Sequence, residues 1–471
     1  MKTSAYQTTA GSAITDPVLQ KALANLQLRF GRGTAEGYRN LPEGPDLRLK
    51  AHDIRMRAIE NLDVLLTALV DKIRSNGGQV HFAVDGSEAV KHCLTIARRH
   101  NVSLAVKGKS MLTEEIGLNR ALEDAGIETV ETDLGEYIIQ LAGETPSHII
   151  APAIHQTREK VGRLFAEKLG IPYTDDPPTL TLIARQALRK KFLQADMGIS
   201  GCNLACAETG HITTVSNEGN IRMATTLPRV HVAVMGMERV IADLADHEIL
   251  FRLLALGAAA QNMAGYVSYI GGPGRAGQTE GPEALHLVIV DNGRSRILAD
   301  PEFREMLCCI RCGACLNICP VYGKIGGHAY QSAYSGPVGA VVTPLLKGIN
   351  ANADLCQGES LCGACMPACP VNINIPRMLL ALRAKLVTGD KAWGVKPQSR
   401  AEQAAFGLWA RLVQNRRLYD LFLKGARHAQ KFLPQHNDML ARLPLAGSGW
   451  TKSRDFRKVA DRSFIDRYKE S

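Results

Sequence analysis

Residues 309–320 read Cys309-Ile310-Arg311-Cys312-Gly313-Ala314-Cys315-Leu316-Asn317-Ile318-Cys319-Pro320, in which four cysteines follow the spacing C-x2-C-x2-C-x3-C-P. Loops this short allow three thiolates to wrap three corners of one iron–sulfur cube, while the fourth, just before the proline, ligates another cube. Nine of the 12 cysteines of the chain fall between Cys308 and Cys369. The spacing therefore predicts a segment that holds iron–sulfur clusters.

A second, shorter motif reads Cys362-Gly363-Ala364-Cys365-Met366-Pro367-Ala368-Cys369-Pro370, which is C-x2-C-x3-C-P. A complete motif would place its first cysteine where this chain has Glu359. Cys356, three residues earlier, is the nearest substitute. If Cys356 is not a ligand, the cluster of this motif has a non-cysteine ligand or an open iron.

Each motif is expected to send the cysteine before its proline to the cluster of the other motif. The predicted ligands of two [4Fe–4S] clusters are Cys309, Cys312, Cys315 and Cys369 for the first, and Cys319, Cys362, Cys365 and, as a substitute fourth, Cys356 for the second. Two clusters held in this crossed way lie close enough to exchange single electrons. A pair of zinc ribbons is the alternative, but zinc sites use two separated pairs of ligands.

The overall composition is that of an ordinary globular protein, with 45% apolar and 22% charged residues in a chain of 471. No stretch approaches the roughly 18–20 uninterrupted apolar residues that span a bilayer. The N-terminal residues lack the apolar core of a secretory signal. We therefore expect a cytoplasmic protein, in which cysteines stay reduced and serve as metal or redox ligands.

Positive charge is concentrated at the C-terminal end. Residues 391–471 contain 17 Lys and Arg against 7 Asp and Glu, so this segment carries the whole formal net charge of +10. A basic tail on a neutral body predicts an acidic partner or an anionic membrane surface, at the inner face of the membrane. The alternative is a solvated helical face. Nucleic acid is not expected, because no recognised binding motif accompanies the charge.

Strands and helices alternate between residues 76 and 298, which predicts a parallel sheet covered by helices on both faces. The predicted strands are 79–84, 102–106, 127–131, 148–151, 212–215, 231–235 and 285–290. The predicted helices between them are 87–99, 113–125, 158–169, 180–195 and 246–263. Upstream, residues 51–75 show the spacing of one long amphipathic helix, whereas residues 1–40 are polar and irregular.

We therefore divide the chain into four predicted segments. They are an N-terminal arm and helix over 1–75, an α/β domain over 76–298, an α-helical ferredoxin-like domain with two clusters over 299–386, and a basic helical region over 387–471. In the last segment, helices are predicted at 400–413 and 417–432.

One stretch of the α/β domain has the composition of a ligand pocket. Residues 197–211 place small residues around one carboxylate, Glu208, and a Gly-Asn turn follows before Arg222. Glu208 and Arg222 are therefore candidate catalytic residues that hold an anion or transfer protons. The alternative is a tightly packed turn in which Glu208 bonds to backbone. Residues 133–140 follow another predicted strand, where α/β sheets usually place their sites.

Several short stretches together resemble a known family. Residues 106–111, 131–140, 146–152, 207–210 and 216–219 resemble the LUD domain. Residues 291–294 and 326–330, together with the two cysteine motifs, continue the match. The combination resembles the lactate utilization protein B family from about residue 45 to the end of the chain.

The resemblance implies an L-lactate oxidation system of three proteins that passes electrons onward as lactate becomes pyruvate. The expected partners are a cysteine-rich-domain subunit and a smaller LUD-domain subunit. The α/β domain would have the fold of CoA transferases and ribose-phosphate isomerases, whose glutamate in a similar turn is an analogy for Glu208. In this family the second motif usually has three regular cysteines, which weakens the case for Cys356.

Two functions from different classes follow. We expect a non-catalytic electron-transfer subunit of an L-lactate dehydrogenase-type complex, with the clusters as its relay. The alternative is an enzyme whose LUD domain itself binds and oxidises a small organic acid and passes electrons directly to its own clusters. A third reading, an iron–sulfur sensor that contacts nucleic acid, would require salt-dependent binding to DNA.

Overall fold

The computed structural model describes residues 4–147, 149–275, 277–278, 280–397, 400–452 and 454–468. The chain forms two compact units, Met1–Lys396 and Pro397–Ser471. The predicted segments 1–75, 76–298 and 299–386 all lie in the first unit. The boundaries between them stay predictions.

The centre of the first unit is a parallel sheet. The strands of this unit are β1 (Gln79–Ala83), β2 (Leu104–Lys107), β3 (Glu128–Glu131), β4 (Met197–Gly201), β5 (Leu204–Cys206), β6 (Ile212–Ser216), β7 (Val230–Gly236), β8 (Val240–Ile241), β9 (Tyr266–Ile270) and β10 (Ala284–Val290). Six of them pair in the order β1-β10-β7-β4-β2-β3, and every pair is parallel. The predicted parallel sheet is therefore confirmed.

Helices cover this sheet on both faces, as the sequence predicts. Successive side chains of a strand point to opposite faces, and β7 shows this directly. Val234 packs in one core with the helix Gly86–Arg99, whereas its neighbour Met235 packs in another with the helix Leu62–Ser75. The helices of the unit are Ala5–Thr15, Pro17–Leu26, Arg32–Asn40, Gly44–Glu60, Leu62–Ser75, Gly86–Arg99, Met111–Glu115, Leu118–Asp124, Leu134–Ala142, Arg158–Leu169, Pro177–Gln194, Asn220–Thr226, Leu244–Ala259, Arg294–Ala299, Ala314–Ile318, Tyr322–Ile325, Gly336–Lys347, Ala353–Gln357, Cys365–Ala368 and Ile375–Thr388.

A second sheet of four strands, in the order β8-β5-β6-β9, was not expected. Its strand β5 lies in the stretch 197–211, whose glycines and small polar residues have low strand propensity and resemble a loop. The predicted strand at 148–151 is also wrong, since residues 149–151 are irregular, and His148 lies outside the described residues. The predicted helix 113–125 is two helices, because Gly117 between them adopts a left-handed φ of 68°.

Residues 5–40 are almost entirely helical, so the prediction of an irregular arm is wrong for the described part of residues 1–40. Pro17–Leu26 buries three leucines of similar helical phase, Leu19, Leu23 and Leu26, and its N-cap Asp16 accepts from two backbone N–H groups. These few apolar residues stabilise the helix by packing on distant parts of the chain, which the local sequence pattern does not show. The predicted single helix over 51–75 is also divided, into Gly44–Glu60 and Leu62–Ser75.

The second unit begins with two helices, Arg400–Gln414 and Arg416–Ala429, which confirm the predicted helical patterns. They contact each other through Trp409 and Phe422, whose rings meet edge to face at 5.9 Å. A small sheet of Gln435–His436, Met439–Leu440 and Phe456–Arg457 follows. Within the described residues, no helix of the chain is both long and apolar enough to cross a membrane.

Candidate iron–sulfur site and adjoining cavity

Both cysteine motifs fold into the same backbone turn. In the first, the residues on either side of Cys312 have left-handed φ values, 59° at Arg311 and 81° at Gly313. In the second, the residues on either side of Cys362 repeat this, with 56° at Leu361 and 82° at Gly363. A non-glycine residue rarely adopts such a φ. The repetition shows that the two motifs share the same backbone turn around Cys312 and Cys362.

In the first motif this turn points backbone N–H groups at sulfur. Arg311 N donates to Cys309 Sγ at 3.4 Å and Ala314 N donates to Cys312 Sγ at 3.5 Å. Further along, Tyr322 N donates to Cys319 Sγ at 3.4 Å. Such bonds stabilise negative charge on sulfur, and in iron–sulfur proteins they tune the reduction potential. The motif therefore favours thiolates bound to metal.

The first set of thiols, which we define as Cys309, Cys312, Cys315 and Cys369, comes from both motifs. Burial raises the pKa of Cys315, and the charges of Cys309, Cys312, Cys365 and Cys369 raise it further. Burial also raises the pKa of Cys369 to about 12, with Cys309 adding to the effect. Buried thiols that oppose each other's ionisation need nearby positive charge before they ionise, and bound iron supplies it. This donor set fits the predicted first cluster.

The second set surrounds a small cavity of about 20 Å³ that Cys319, Glu359, Cys362 and Cys365 line. Cys319 Sγ lies 3.5 Å from Glu359 Oε2. Cys319, the cysteine before Pro320, therefore lies with the thiols of the second motif, and Cys369 lies near those of the first. Cys362 is exposed, whereas Cys309 is half-buried and Cys312, Cys315 and Cys369 are buried, so the most exposed of the predicted ligands belongs to the second set.

Cys356, the substitute fourth ligand, lies apart from this small cavity. Its Sγ donates to Asn352 O at 3.7 Å, and its side chain is fully buried in the hydrophobic core. It is not among the residues that line the small cavity, whereas Glu359 is. Within the described residues, no three His, Cys, Asp or Glu side chains converge around one metal ion. A cubane presents four separate iron corners, so its ligands stand further apart than those of a single ion.

The N-terminal helices hold the cysteine loops from outside. Arg48 donates to Cys369 O at 2.9 Å through Nε and to Met366 O at 3.1 Å through Nη2. Gln27 Nε2 donates to Cys319 O at 2.8 Å. Sequence reasoning missed these residues, because a lone Arg or Gln on a helix carries no signal of its distant partner.

A much larger cavity, of about 350 Å³, adjoins the first set of thiols. Loops at the carboxyl ends of β2, β4 and β7 form one part of its wall, and the cluster segment forms another. Its lining includes Lys109, Ser110, Asp133, Cys202, Asn203, Glu218, Glu238, Arg239, Arg294, Arg311, Cys312 and Tyr334. Asp133 is therefore at the cavity, as expected of a residue that follows a strand of an α/β sheet.

Glu208 and Arg222, the candidate catalytic residues, do not line this cavity. Both side chains are exposed. Glu208 Oε2 accepts from Leu244 N at 3.4 Å, beside the N-terminus of the helix Leu244–Ala259. This contact agrees with the alternative given above, a turn in which the Glu208 carboxylate bonds to the backbone. Arg222 lies on the short helix Asn220–Thr226.

Family comparisons cover most of the chain. Residues 66–290 match the LUD domain, residues 305–373 match the 4Fe-4S dicluster domain, and residues 393–471 match the lactate utilisation protein B C-terminal model. These matches define the chain as an LUD-domain protein with an iron–sulfur-binding segment. The LUD family assignment and the iron–sulfur prediction are thereby confirmed.

Relatives are similar over nearly their whole length. The uncharacterized electron transport protein YkgF of Escherichia coli (strain K12) is 43% identical, over 99% of this chain and 96% of that protein. Lactate utilization protein B of Bacillus subtilis (strain 168) is 40% identical, over 99% of this chain and 98% of that protein. The chain belongs to the lactate utilization protein B family.

Among solved structures, a DUF162 family protein from Deinococcus radiodurans is similar to 49% of this chain, at 14% identity and a TM-score of 0.28. At that TM-score the two structures share too little geometry for their sites to be compared.

Proposed function

We propose that this protein relays electrons, one at a time, through two [4Fe–4S] clusters during the oxidation of L-lactate to pyruvate. The main support for an electron relay is that each motif contributes one cysteine to the thiols of the other motif. The charge of Cys309 helps to raise the pKa of the buried Cys369, while Cys319 lies with Cys362 and Cys365 around the small cavity. Clusters that share two motifs in this way are neighbours, and neighbouring clusters exchange electrons by tunnelling.

The ligand roles follow from this grouping. Cys309, Cys312, Cys315 and Cys369 would hold the first cluster, and Cys319, Cys362 and Cys365 would hold three irons of the second. Each cluster, when bound, would accept and donate one electron reversibly, at a reduction potential that depends on hydrogen bonds to sulfur and on burial. The chain itself contributes the backbone N–H donors to Cys309, Cys312 and Cys319 and the apolar burial that excludes water.

The substrate assignment rests on the relatives, several of which are named lactate utilization protein B. Oxidation of L-lactate to pyruvate releases two electrons and two protons, and two one-electron centres can accept both electrons. We propose that a cysteine-rich-domain subunit and a small LUD-domain subunit are the partners. The exposed Cys362 gives such a partner access to the second cluster, and the basic second unit offers it a docking surface.

The decisive experiment is anaerobic mixing of the cluster-loaded protein with L-lactate, alone and with its co-purifying partners, while the visible absorption of the clusters is followed. Bleaching only when partners are present is the expected result. Bleaching of the isolated protein would instead support the alternative, in which the LUD domain is itself the dehydrogenase. No bleaching in either mixture would contradict the lactate assignment while leaving the clusters in place.

A further inference from the structure

We propose that the cavity beside Cys312 binds a small organic carboxylate. Its volume of about 350 Å³ falls within the roughly 300–1,000 Å³ of typical small-molecule sites. It lies at the carboxyl ends of the parallel strands, where α/β sheets usually bind ligands. Its wall also includes Cys312, so that a molecule bound here would lie next to the first set of thiols.

Arg311 lines this cavity with a guanidinium that has two donors without an acceptor. Its Nε and Nη1 atoms are buried, and neither has a hydrogen-bond partner among the described residues. The guanidinium lies over the ring of Tyr334, at 4.4 Å from its centroid. Buried N–H donors are almost always paired in native proteins, so the two unpaired donors indicate a missing acceptor. A carboxylate matches a guanidinium in both charge and fork geometry.

The other basic residues of the cavity have partners within the protein, and Lys109 Nζ lies 3.5 Å from Glu136 Oε1. Arg294 Nε lies 2.9 Å from Glu238 Oε2, and Arg239 Nη1 donates to Cys309 O at 3.2 Å. On another part of the wall, Asp133 caps the helix Leu134–Ala142 and Glu218 accepts from Leu134 N at 3.0 Å. Each of these carboxylates accepts a backbone N–H group, and Arg311 is the basic residue of the wall with two unpaired buried donors that would bind an anion.

The competing explanation is that Arg311 offsets negative charge on the first cluster. Isothermal titration calorimetry of the full-length, cluster-loaded protein under argon separates the two. The probes are pyruvate, oxamate and the larger phenylpyruvate, with lactamide as an uncharged control. We expect saturable binding of at least one carboxylate and none of lactamide. The variants are Arg311→Gln, Ala258→Leu, which fills the cavity without changing charge, and Arg185→Gln as a matched control on the exposed surface.

Binding should weaken at least tenfold in R311Q and in A258L and stay unchanged in R185Q, with the iron content of each variant confirming that the clusters are loaded. Absence of saturable binding by any carboxylate would overturn the proposal. So would undiminished binding in both R311Q and A258L. A shift in the potential of the first cluster in R311Q with binding intact would also overturn it and assign Arg311 to charge compensation.

A second, independent observation concerns the fourth corner of the second cluster. We propose that Glu359 is its non-cysteine iron ligand, which rests on the proposed two-cluster function. The backbone turn around Cys362 repeats the turn around Cys312, and in this register Glu359 stands where the first motif has Cys309. The equivalent turn should present the Glu359 carboxylate to the second site as the first turn presents Cys309 to the first.

The contacts of Glu359 agree with that role. The residue is buried, with 7% of its surface exposed, and it lines the small cavity with the three cysteines. Its Oε1 accepts from Tyr330 OH at 2.8 Å, which fixes the carboxylate in place. Arg383 holds the same loop by donating to Cys356 O at 2.7 Å and to Glu359 O at 2.6 Å. Cys356 is thus anchored away from the site by the contacts that place Glu359 in it.

Mössbauer spectroscopy of the ⁵⁷Fe-loaded full-length protein, with electron paramagnetic resonance of the air-oxidised form, tests this assignment. In Glu359→Ala the second cluster should lose one iron and give a three-iron signal, while the first cluster is unchanged. Glu359→Cys should keep four irons and remove the distinct carboxylate-bound iron site. Cys356→Ser and Glu302→Gln, a control at a partly exposed carboxylate, should resemble the native protein.

Retention of a native second cluster in E359A would overturn the ligand role of Glu359. Conversion to a three-iron centre in C356S would overturn it as well, because that result would identify Cys356 as the ligand. Failure of the underlying two-cluster proposal would look different: the native protein itself would contain the iron of only one cluster, before any substitution is made.

Discussion

Arg294 forms a bidentate ion pair with Glu115, in which Nη1 lies 2.9 Å from Oε1 and Nη2 lies 2.8 Å from Oε2. Both side chains are only 2% exposed. The remaining donor, Nε, lies 2.9 Å from Glu238 Oε2, so one guanidinium serves two buried carboxylates. Glu115 follows the sheet strand β2, Glu238 follows β7 and Arg294 follows β10. The pairing therefore joins three segments that follow strands of the sheet, at the carboxyl ends that face the cysteine segment.

Removing this guanidinium should strongly destabilise the first unit. In Arg294→Met, Glu115 and Glu238 are left buried without their main counter-charge, and breaking a buried pair from one side costs about 3–5 kcal/mol. We expect a clearly lower urea midpoint for the loss of cluster absorption and tryptophan fluorescence. In Arg222→Gln, an exposed control, the free energy of unfolding should change by less than about 0.5 kcal/mol. Equal midpoints for R294M and R222Q would contradict the structural role of the pair.

Glu136 should make stability depend on pH in the neutral range. Burial raises the pKa of Glu136 to about 8, against the opposing charge of Lys109, whose Nζ lies 3.5 Å away. The folded protein therefore holds a proton that the unfolded chain releases above its ordinary pKa of 4.5. Stability from this proton is complete below pH 4.5 and is lost as the pH rises to about 8, with a slope of about 1.4 kcal/mol per pH unit.

The comparison of native protein with Glu136→Gln isolates this effect. The variant keeps a neutral side chain at every pH, so its stability relative to the native protein should rise between pH 6 and 8 in urea unfolding. Glu123→Gln, at an exposed position, should follow the native pH profile. A native profile that is parallel to that of E136Q across this range would show that Glu136 is already ionised.

Substitution of a cysteine before a proline should damage the cluster of the other motif. In Cys369→Ser we expect loss of the first cluster with the second retained, and in Cys319→Ser the reverse, because each thiol lies with the opposite motif. Iron content and electron paramagnetic resonance of the reduced protein measure this. Cys93→Ser, in the buried core of the α/β domain, is the control. Equal loss of both clusters in each variant would mean that they assemble only together, and retention of both would refute the crossed ligation.

Deletion of residues 397–471 should remove docking without removing the clusters. The first unit keeps its core and all of its cysteines, so its iron content should be unchanged. We expect the truncated protein to lose salt-sensitive binding to its partner subunits or to anionic lipid vesicles, since the deleted unit carries most of the excess positive charge.

A variant with Arg411, Arg416 and Arg417 changed to Gln keeps the helices and tests whether charge alone is responsible. Assembly that is unchanged in both proteins, at low and at high salt, would remove the docking role of the second unit.

The sequence by itself determined the features that depend on short-range pattern. The spacing of Cys309, Cys312 and Cys315 defined the cluster loop, because a short turn brings together residues three positions apart. The alternation of strand and helix patterns predicted the parallel sheet, because their periods of about 2 and 3.6 residues can be read within short windows. The register of the second motif also showed that Glu359 occupies the position of the missing cysteine, although the sequence led us to Cys356 as the substitute ligand.

Only the tertiary structure decided which side chains from distant segments meet. It placed Glu359 rather than Cys356 at the small cavity, folded the N-terminal helices over the cysteine loops, and brought Arg311 to the ends of β2, β4 and β7. It also separated Glu208 and Arg222 from the cavity, which composition alone could not reveal. The physical reason is that burial and pairing depend on contacts across hundreds of residues, such as that of Gln27 with Cys319, whereas motif spacing constrains only neighbours along the chain.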